Sequence, residues 1–112
     1  MVDIREYIDR GGRSPFRDWR NKLNPEARRK VTAALYRVGL GNFSNVQGVG
    51  AGVFECRIHF GPGYRVYFGK DGEQMVILLG GGTKPRQQND IRVALGRWDE
   101  YKQRKRQNRE GT

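Results

Sequence analysis

The strongest constraint on how this chain can fold is a run of alternating residues in its middle third. Phe54, Cys56, Ile58 and Phe60 alternate with Glu55, Arg57 and His59. After Gly61-Pro62-Gly63, Tyr64, Val66 and Phe68 alternate with Arg65 and Tyr67. Strand side chains point to opposite faces with period two, so the pattern predicts a β-hairpin with one core face and one polar face. A two-residue turn would mix the faces. A three-residue Gly-Pro-Gly turn pairs Phe60 with Tyr64, Ile58 with Val66 and Cys56 with Phe68. It also sets His59 opposite Arg65 and Arg57 opposite Tyr67, with Glu55 on the same face.

Upstream, residues 2–8 alternate loosely and predict a short first strand. Ser14-Pro15 reads as a helix start, with serine as N-cap and proline at the first helical position. Phe16, Trp19 and Leu23 then share one face. Asn24-Pro25-Glu26 repeats the start signal, Val31, Ala34, Leu35 and Val38 supply a buried stripe, and Gly39 is the stop. The glycine- and asparagine-rich residues 41–52 are expected to form a loop. Asp71-Gly72 makes a turn, and residues 74–79 predict a buried central strand that Gly80-Gly81-Gly82 ends. A last helix begins at Pro85, with Ile91, Ala94, Leu95, Trp98 and Tyr101 as its apolar stripe.

This order predicts an α+β fold, β-α-α-β-β-β-α, with an antiparallel sheet packed against helices. The chain of 112 residues fits one domain. That domain is expected over residues 1–101, with residues 102–112 a basic, disordered tail. The formal net charge of +10 favours a polyanionic partner. No apolar run is long enough to span a bilayer, and the first residues lack a signal-peptide pattern. The single cysteine, Cys56, cannot form an internal disulfide. The expected setting is therefore cytoplasmic, with no membrane role. With one histidine and one cysteine the usual His/Cys metal sites cannot be made, and the glycines at 80–82 lack P-loop or dinucleotide spacing. No metal or cofactor is expected.

The polar hairpin face carries the chemistry. It gathers Glu55, Arg57, His59, Arg65 and Tyr67, with Lys84 just beyond the neighbouring strand. Metal-free RNA cleavage needs a base for the ribose 2′-hydroxyl, an acid for the departing 5′-oxygen, and cations on the phosphate. Glu55 or His59 can serve as base or acid, while Arg57, Arg65 and Lys84 can grip the phosphate. The same ladder can equally be cross-strand ion pairing on a wet sheet face.

The runs Phe54-Glu55-Cys56-Arg57-Ile58, Gly61-Pro62-Gly63-Tyr64-Arg65-Val66-Tyr67-Phe68 and Leu78-Leu79-Gly80-Gly81-Gly82-Thr83-Lys84 resemble the phage-related HigB branch of the RelE/ParE toxin superfamily. The resemblance extends from Val2 to about Tyr101. It implies a RelE-like fold and a type II toxin that cuts mRNA on the ribosome and inhibits translation. It also implies a cognate antitoxin, commonly a helix-turn-helix DNA-binding protein. On this resemblance Arg57, Arg65 and Lys84 are the family's basic residues, with Arg86 close behind. Tyr67, Arg86, Lys102, Arg104 and Lys105 would extend the RNA contact. The tyrosine that RelE-type toxins carry near the start of the final segment is replaced here by Gln87-Gln88-Asn89-Asp90. Asp90, Glu55, His59 or Tyr67 would have to assume its role. The alternatives are a non-enzymatic ParE-like gyrase inhibitor and a basic RNA-binding module without catalysis.

Overall fold

The computed structural model describes residues 1–110. Its elements are β1 (Asp3–Glu6), α1 (Pro15–Asn21), α2 (Pro25–Gly39), β2 (Val46–Gly50), β3 (Val53–Ile58), β4 (Tyr64–Lys70), β5 (Met75–Thr83) and α3 (Gln87–Glu110). A 3-10 turn at Lys84–Arg86 leads into α3. The class is α+β, built on one five-stranded sheet in the order β1-β5-β4-β3-β2.

Both early helices begin as their caps predict. Ser14 Oγ accepts the Arg17 N–H at 3.1 Å, and Asn24 Oδ1 accepts the Ala27 N–H at 2.9 Å. Each satisfies a backbone donor that the first helical turn leaves unpaired. Because β1 and β2 lie on opposite edges, α1 and α2 must cross the sheet between them. Their apolar sides, chiefly Phe16, Ala27, Val31, Ala34 and Val38, pack on Cys56, Ile58, Val66, Phe68 and Leu78. The other face carries Tyr7, Val53, Tyr67, Ile77 and Leu79, covered by Ala94 and Trp98 of α3. Alternation along β3 and β4 is thus alternation between two helix layers. The expected polar face is roofed by α3 rather than open to water.

Several expectations are corrected. The sheet is mixed, not antiparallel: β1 runs parallel to β5, with Asp3 opposite Met75 and Glu6 opposite Leu78. The β2–β5 meander has β2 at one edge and β5 at the other, and β1 adds to the β5 edge in the parallel direction. Within residues 41–52 lies β2, paired with β3 through Val46↔Cys56 and Gly48↔Phe54. Its two glycines and a bulge near Gly48 hid the pattern.

The hairpin register differs by two residues on one strand: Ile58 pairs with Tyr64, Arg57 with Arg65, Cys56 with Val66 and Glu55 with Tyr67. Phe60 leaves the ladder, its carbonyl accepting the Gly63 N–H at 3.0 Å in a turn that holds Gly61 and Gly63 at positive φ. Its ring stacks on Tyr64 at a centroid distance of 6.5 Å. A shift of two keeps every side chain on its face, which is why the face assignment stands while the pairing does not.

The glycines do not end β5, which runs through them to Thr83. Nor does the domain end at 101: α3 continues to Glu110. It is held there by Lys105 Nζ on Asp71 at 2.6 Å, by Tyr101 on Asp71 at 2.7 Å, and by Arg104 on Glu100 and the Ile8 carbonyl. Only residues 111 and 112 of the expected tail lie outside the described residues.

Gly69 sits under Trp98, whose ring atoms lie 2.5 Å from where a Cβ would be built. Gly69→Ala is expected to lower the unfolding free energy by about 1–3 kcal/mol through overpacking. The check is the urea midpoint at unchanged slope.

Candidate functional site

The site is built where α3 begins over the β3–β4 hairpin. Glu55 and Arg65 are buried, at 1% and 8% exposure. Arg65 Nε donates to Glu55 Oε2 at 2.8 Å, and Gln87 Nε2 donates to Oε1 at 3.0 Å. Arg57 approaches Oε1 at 3.6 Å, with its side chain 38% exposed and its Nε buried without a partner. Glu55 is therefore an anion held by three residues of β3, β4 and α3. Its oxygens are engaged in positioning the two guanidiniums, an arrangement that suits a scaffold better than a proton carrier.

Lys84 is exposed, and its backbone N–H donates to the Gly63 carbonyl at 2.9 Å. A Cβ built on Gly63 would lie 3.5 Å from Lys84 Cβ and 3.7 Å from Arg65 Nη1. Gly63 thus has Lys84 and Arg65 beside it, and Arg57 lies opposite Arg65 across the hairpin. His59 lies outside the ladder, exposed, with no hydrogen bond or ion pair among the described residues. Tyr67 is 1% exposed, so it offers no ring face for stacking. Arg86 is exposed near Asp90, whose carboxyl it helps to stabilise as an anion. Lys102, Arg104 and Lys105 lie more than about 20 Å further along α3, at 1.5 Å per residue. There Lys102 sits over Trp98, while Arg104 and Lys105 bind Glu100 and Asp71. These three are not brought to the hairpin rim.

Beside the rim, a cleft of about 260 Å³ opens between α1, the β5 glycines and α3, lined by Trp19, Tyr67, Asn89, Asp90 and Arg97 among others. Arg97 Nη1 donates to the Leu79 carbonyl at 2.9 Å. Cβ atoms on Gly80, Gly81 and Gly82 would collide with Arg97, Trp19 and Asp90 respectively, so the glycines admit these side chains against the strand. Tyr67 Oη and Asp90 Oδ2 are buried with no hydrogen-bond partner. Burial pushes the Tyr67 phenol up to about 12, reinforced by the charges of Glu55 and Asp90. Burial also raises the Asp90 carboxyl above the usual range. Gln87 and Arg97 were missed as site residues. The legible signal was their spacing: 87, 90, 94 and 97 share one helix face with Ala94, which is buried. Among the described residues no three His, Cys, Asp or Glu side chains are placed to hold a metal ion. No helix among them is long and apolar enough to cross a membrane.

No family model matches the chain. A Haemophilus influenzae protein described as uncharacterized is 44% identical to it over 80 residues, covering 70% of this chain and 81% of the relative.

Two outcomes follow from this geometry. Glu55→Ala strands Arg65 as a buried, uncompensated cation and is expected to cost about 3–5 kcal/mol in chemical denaturation. In alkali, the folded state holds the Tyr67 proton to about 12, as it does that of Tyr101, whereas the unfolded phenols ionise near their ordinary 10. The folded state then binds more protons, so stability is complete below about pH 10 and falls as pH rises towards 12. Phenolate absorbance and melting temperature should move together there, and Tyr67→Phe with Tyr101→Phe should flatten the fall.

Proposed function

We propose that this chain, which belongs to the same family as the Haemophilus influenzae protein, is a RelE/HigB-type toxin with a RelE-like fold. In this reading it is a metal-independent endoribonuclease that cuts mRNA on the ribosome in the cytoplasm. The observation that carries the reading is the grouping of Lys84 and Arg65 beside Gly63 with Arg57 opposite Arg65, and with Glu55 bonded to Arg65. One buried guanidinium is fixed in orientation, a second is half-exposed, and the exposed Lys84 starts from the backbone beside Gly63.

Such a rim suits a phosphodiester. The ribose 2′-oxygen attacks the adjacent phosphorus, and the bond to the 5′-oxygen breaks. This leaves a 2′,3′-cyclic phosphate and a free 5′-hydroxyl. Charge builds on the non-bridging oxygens, where preorganised donors act most strongly. Arg57 and Lys84 contact the phosphate, Arg65 orients the rim, and Glu55 holds Arg65. His59, exposed on the adjoining turn, is the group placed to move a proton between the 2′-oxygen and the leaving oxygen. The antitoxin of this reading presents an acidic surface to the rim, and its association is steered by charge.

Arg65→Ala is a poor test because it also unpairs a buried carboxylate. Arg57→Ala and Lys84→Ala are the sharper ones, since both side chains reach solvent. Brief expression in growing bacteria with mapping of transcript 5′ ends should show codon-phased cuts. Each variant should reduce them about a hundredfold, the scale of losing one preorganised charge donor. Cuts undiminished in both variants would sink the assignment, and growth arrest without cuts would favour the gyrase-inhibitor alternative.

A further inference from the structure

The sheet ends in two edge strands, β1 and β2, and their chemistry differs. An edge strand presents unpaired backbone groups to any other strand, and proteins ordinarily block it with charge. β1 is blocked in that way. Three of its four residues, Asp3, Arg5 and Glu6, are charged, with Arg5 bonded to Asp3 and Arg17 paired with Glu6. β2 carries no charge at all. No charged residue stands between Arg37 and Glu55, the longest uncharged stretch of a chain in which 30% of the residues are charged. Among the described residues no strand lies beyond β2.

The free groups of this edge can be assigned. The Arg57 N–H donates to the Asn45 carbonyl at 2.9 Å, so Asn45 and, by alternation, Gln47 turn their backbone groups towards β3. Val46 and Gly48 therefore turn theirs outward. The Val46 N–H is already taken by the Phe43 carbonyl at 3.0 Å. What remains is an acceptor on Val46 and a donor and an acceptor on Gly48. An antiparallel strand centred opposite Gln47 uses the Val46 acceptor and the Gly48 donor and leaves the occupied N–H alone.

The side chains indicate which strand that is. Ser44, Asn45 and Gln47 are exposed, and their side chains make no hydrogen bond among the described residues. Amides and hydroxyls both donate and accept, so each can pair with its own copy, as a carboxylate or an ammonium cannot. A two-fold interface sets one patch against itself in this way. On a chain with a net charge of +10, an uncharged strip also lets two copies meet without placing like charges opposite one another. A partner selected by charge would find nothing to select on it.

We infer that β2 docks a second copy of this chain, antiparallel, with Gln47 facing Gln47. The Gly48 N–H of each copy donates to the Val46 carbonyl of the other, and two five-stranded sheets become one. The bulge between Gly48 and Gly50 ends the regular pairing there, so the contact is short. Interfaces well below about 1,000 Å² are transient, which places half-dimerisation at roughly 0.1–1 mM. Lys70, held over the rings of Phe43 and Phe54, and Arg57, opposite Asn45, flank the strip with positive charge. Salt therefore strengthens this association, whereas it weakens the binding of polyanions. The inference does not depend on the proposed nuclease activity.

The test uses the full-length protein, with translational diffusion measured by NMR from roughly 0.05 to 2 mM, a range that spans the expected midpoint. Diffusion should slow with concentration towards the value of a dimer. Dimerisation should be about three- to tenfold tighter at about 0.5 M salt than at about 0.05 M, where the flanking charges are less screened. Gln47→Lys and Gln47→Glu should each weaken it severalfold, because like charges then stand opposite each other. An equal mixture of these two variants should restore it to the wild-type level or beyond. Gly48→Pro should abolish it by removing the outward donor while sparing the bonds to β3, and the monomer should melt as before. A Cβ at residue 48 meets only the Phe54 ring, at an ordinary 3.6 Å. A monomer at every concentration and salt overturns the inference, as does association that weakens with salt. Association that neither Gln47 variant weakens, or that the mixture fails to restore, overturns it equally.

Discussion

Placement of the last helix depends on the buried carboxylate of Glu55. Arg65 reaches it from β4 at 2.8 Å, Gln87 from the first turn of α3 at 3.0 Å, and Arg57 from its own strand at 3.6 Å. Three elements thus converge on one charge. Bringing that charge out of water costs several kcal/mol, and the ion pair with Arg65 returns little net stability. What the pair contributes is exclusivity: an arrangement of α3 that withdrew Gln87 or admitted an apolar side chain would leave part of the cluster unbonded. The register of α3 over the hairpin is therefore dictated by polar complementarity at its start. Trp98 and Ala94 then secure it by apolar packing further along.

Gly80, Gly81 and Gly82 let polar side chains descend onto the strand where a Cβ would hold them off. The result divides the roofed sheet face into two regions of different character. Around Glu55 nearly every donor and acceptor is met, and the arrangement is stiff. Around Asp90 and Tyr67 it is not, and burial holds both groups towards their neutral forms. The met region is explained by the fold alone. The unmet region is a local cost that the fold does not require, since a phenylalanine and an asparagine would fill the same shapes.

Much of this was legible in the chain because period two and period 3.6 survive local error. The two capped helices, the faces of β3 and β4 and the stripe of α3 all follow from spacing. The pairing did not, because Phe60 trades a ladder position for a ring stack on Tyr64 while every face stays the same. The edge strand β2 has too little side chain to announce itself, and spacing along the chain does not say that β1 joins the β5 edge rather than the β2 edge. Within the candidate site, the basic residues were legible as a group, but their burial was not. Alternation says which residues share a face and is silent on what covers it. The bonds of Glu55 to Arg65 and Gln87 were therefore invisible in the spacing, and Asp90 stood out only as a substitute for a missing tyrosine.

The distribution of charge separates attraction from selection. Many of the acids are spent within the fold: Glu6 on Arg17, Asp18 on Arg13, Asp71 on Lys105, Glu100 on Arg104. The net charge of +10 is consequently carried outward by a surplus of lysine and arginine over the surface. Such a field draws any polyanion and weakens with salt, and it cannot tell one phosphate from the next. Discrimination has to come from groups whose geometry is fixed and whose alternatives are costly, as that of Arg65 is fixed by its bond to Glu55. The buried Glu55 lies beneath the rim: it bonds Arg65 there, and its charge adds to burial in raising the Tyr67 phenol.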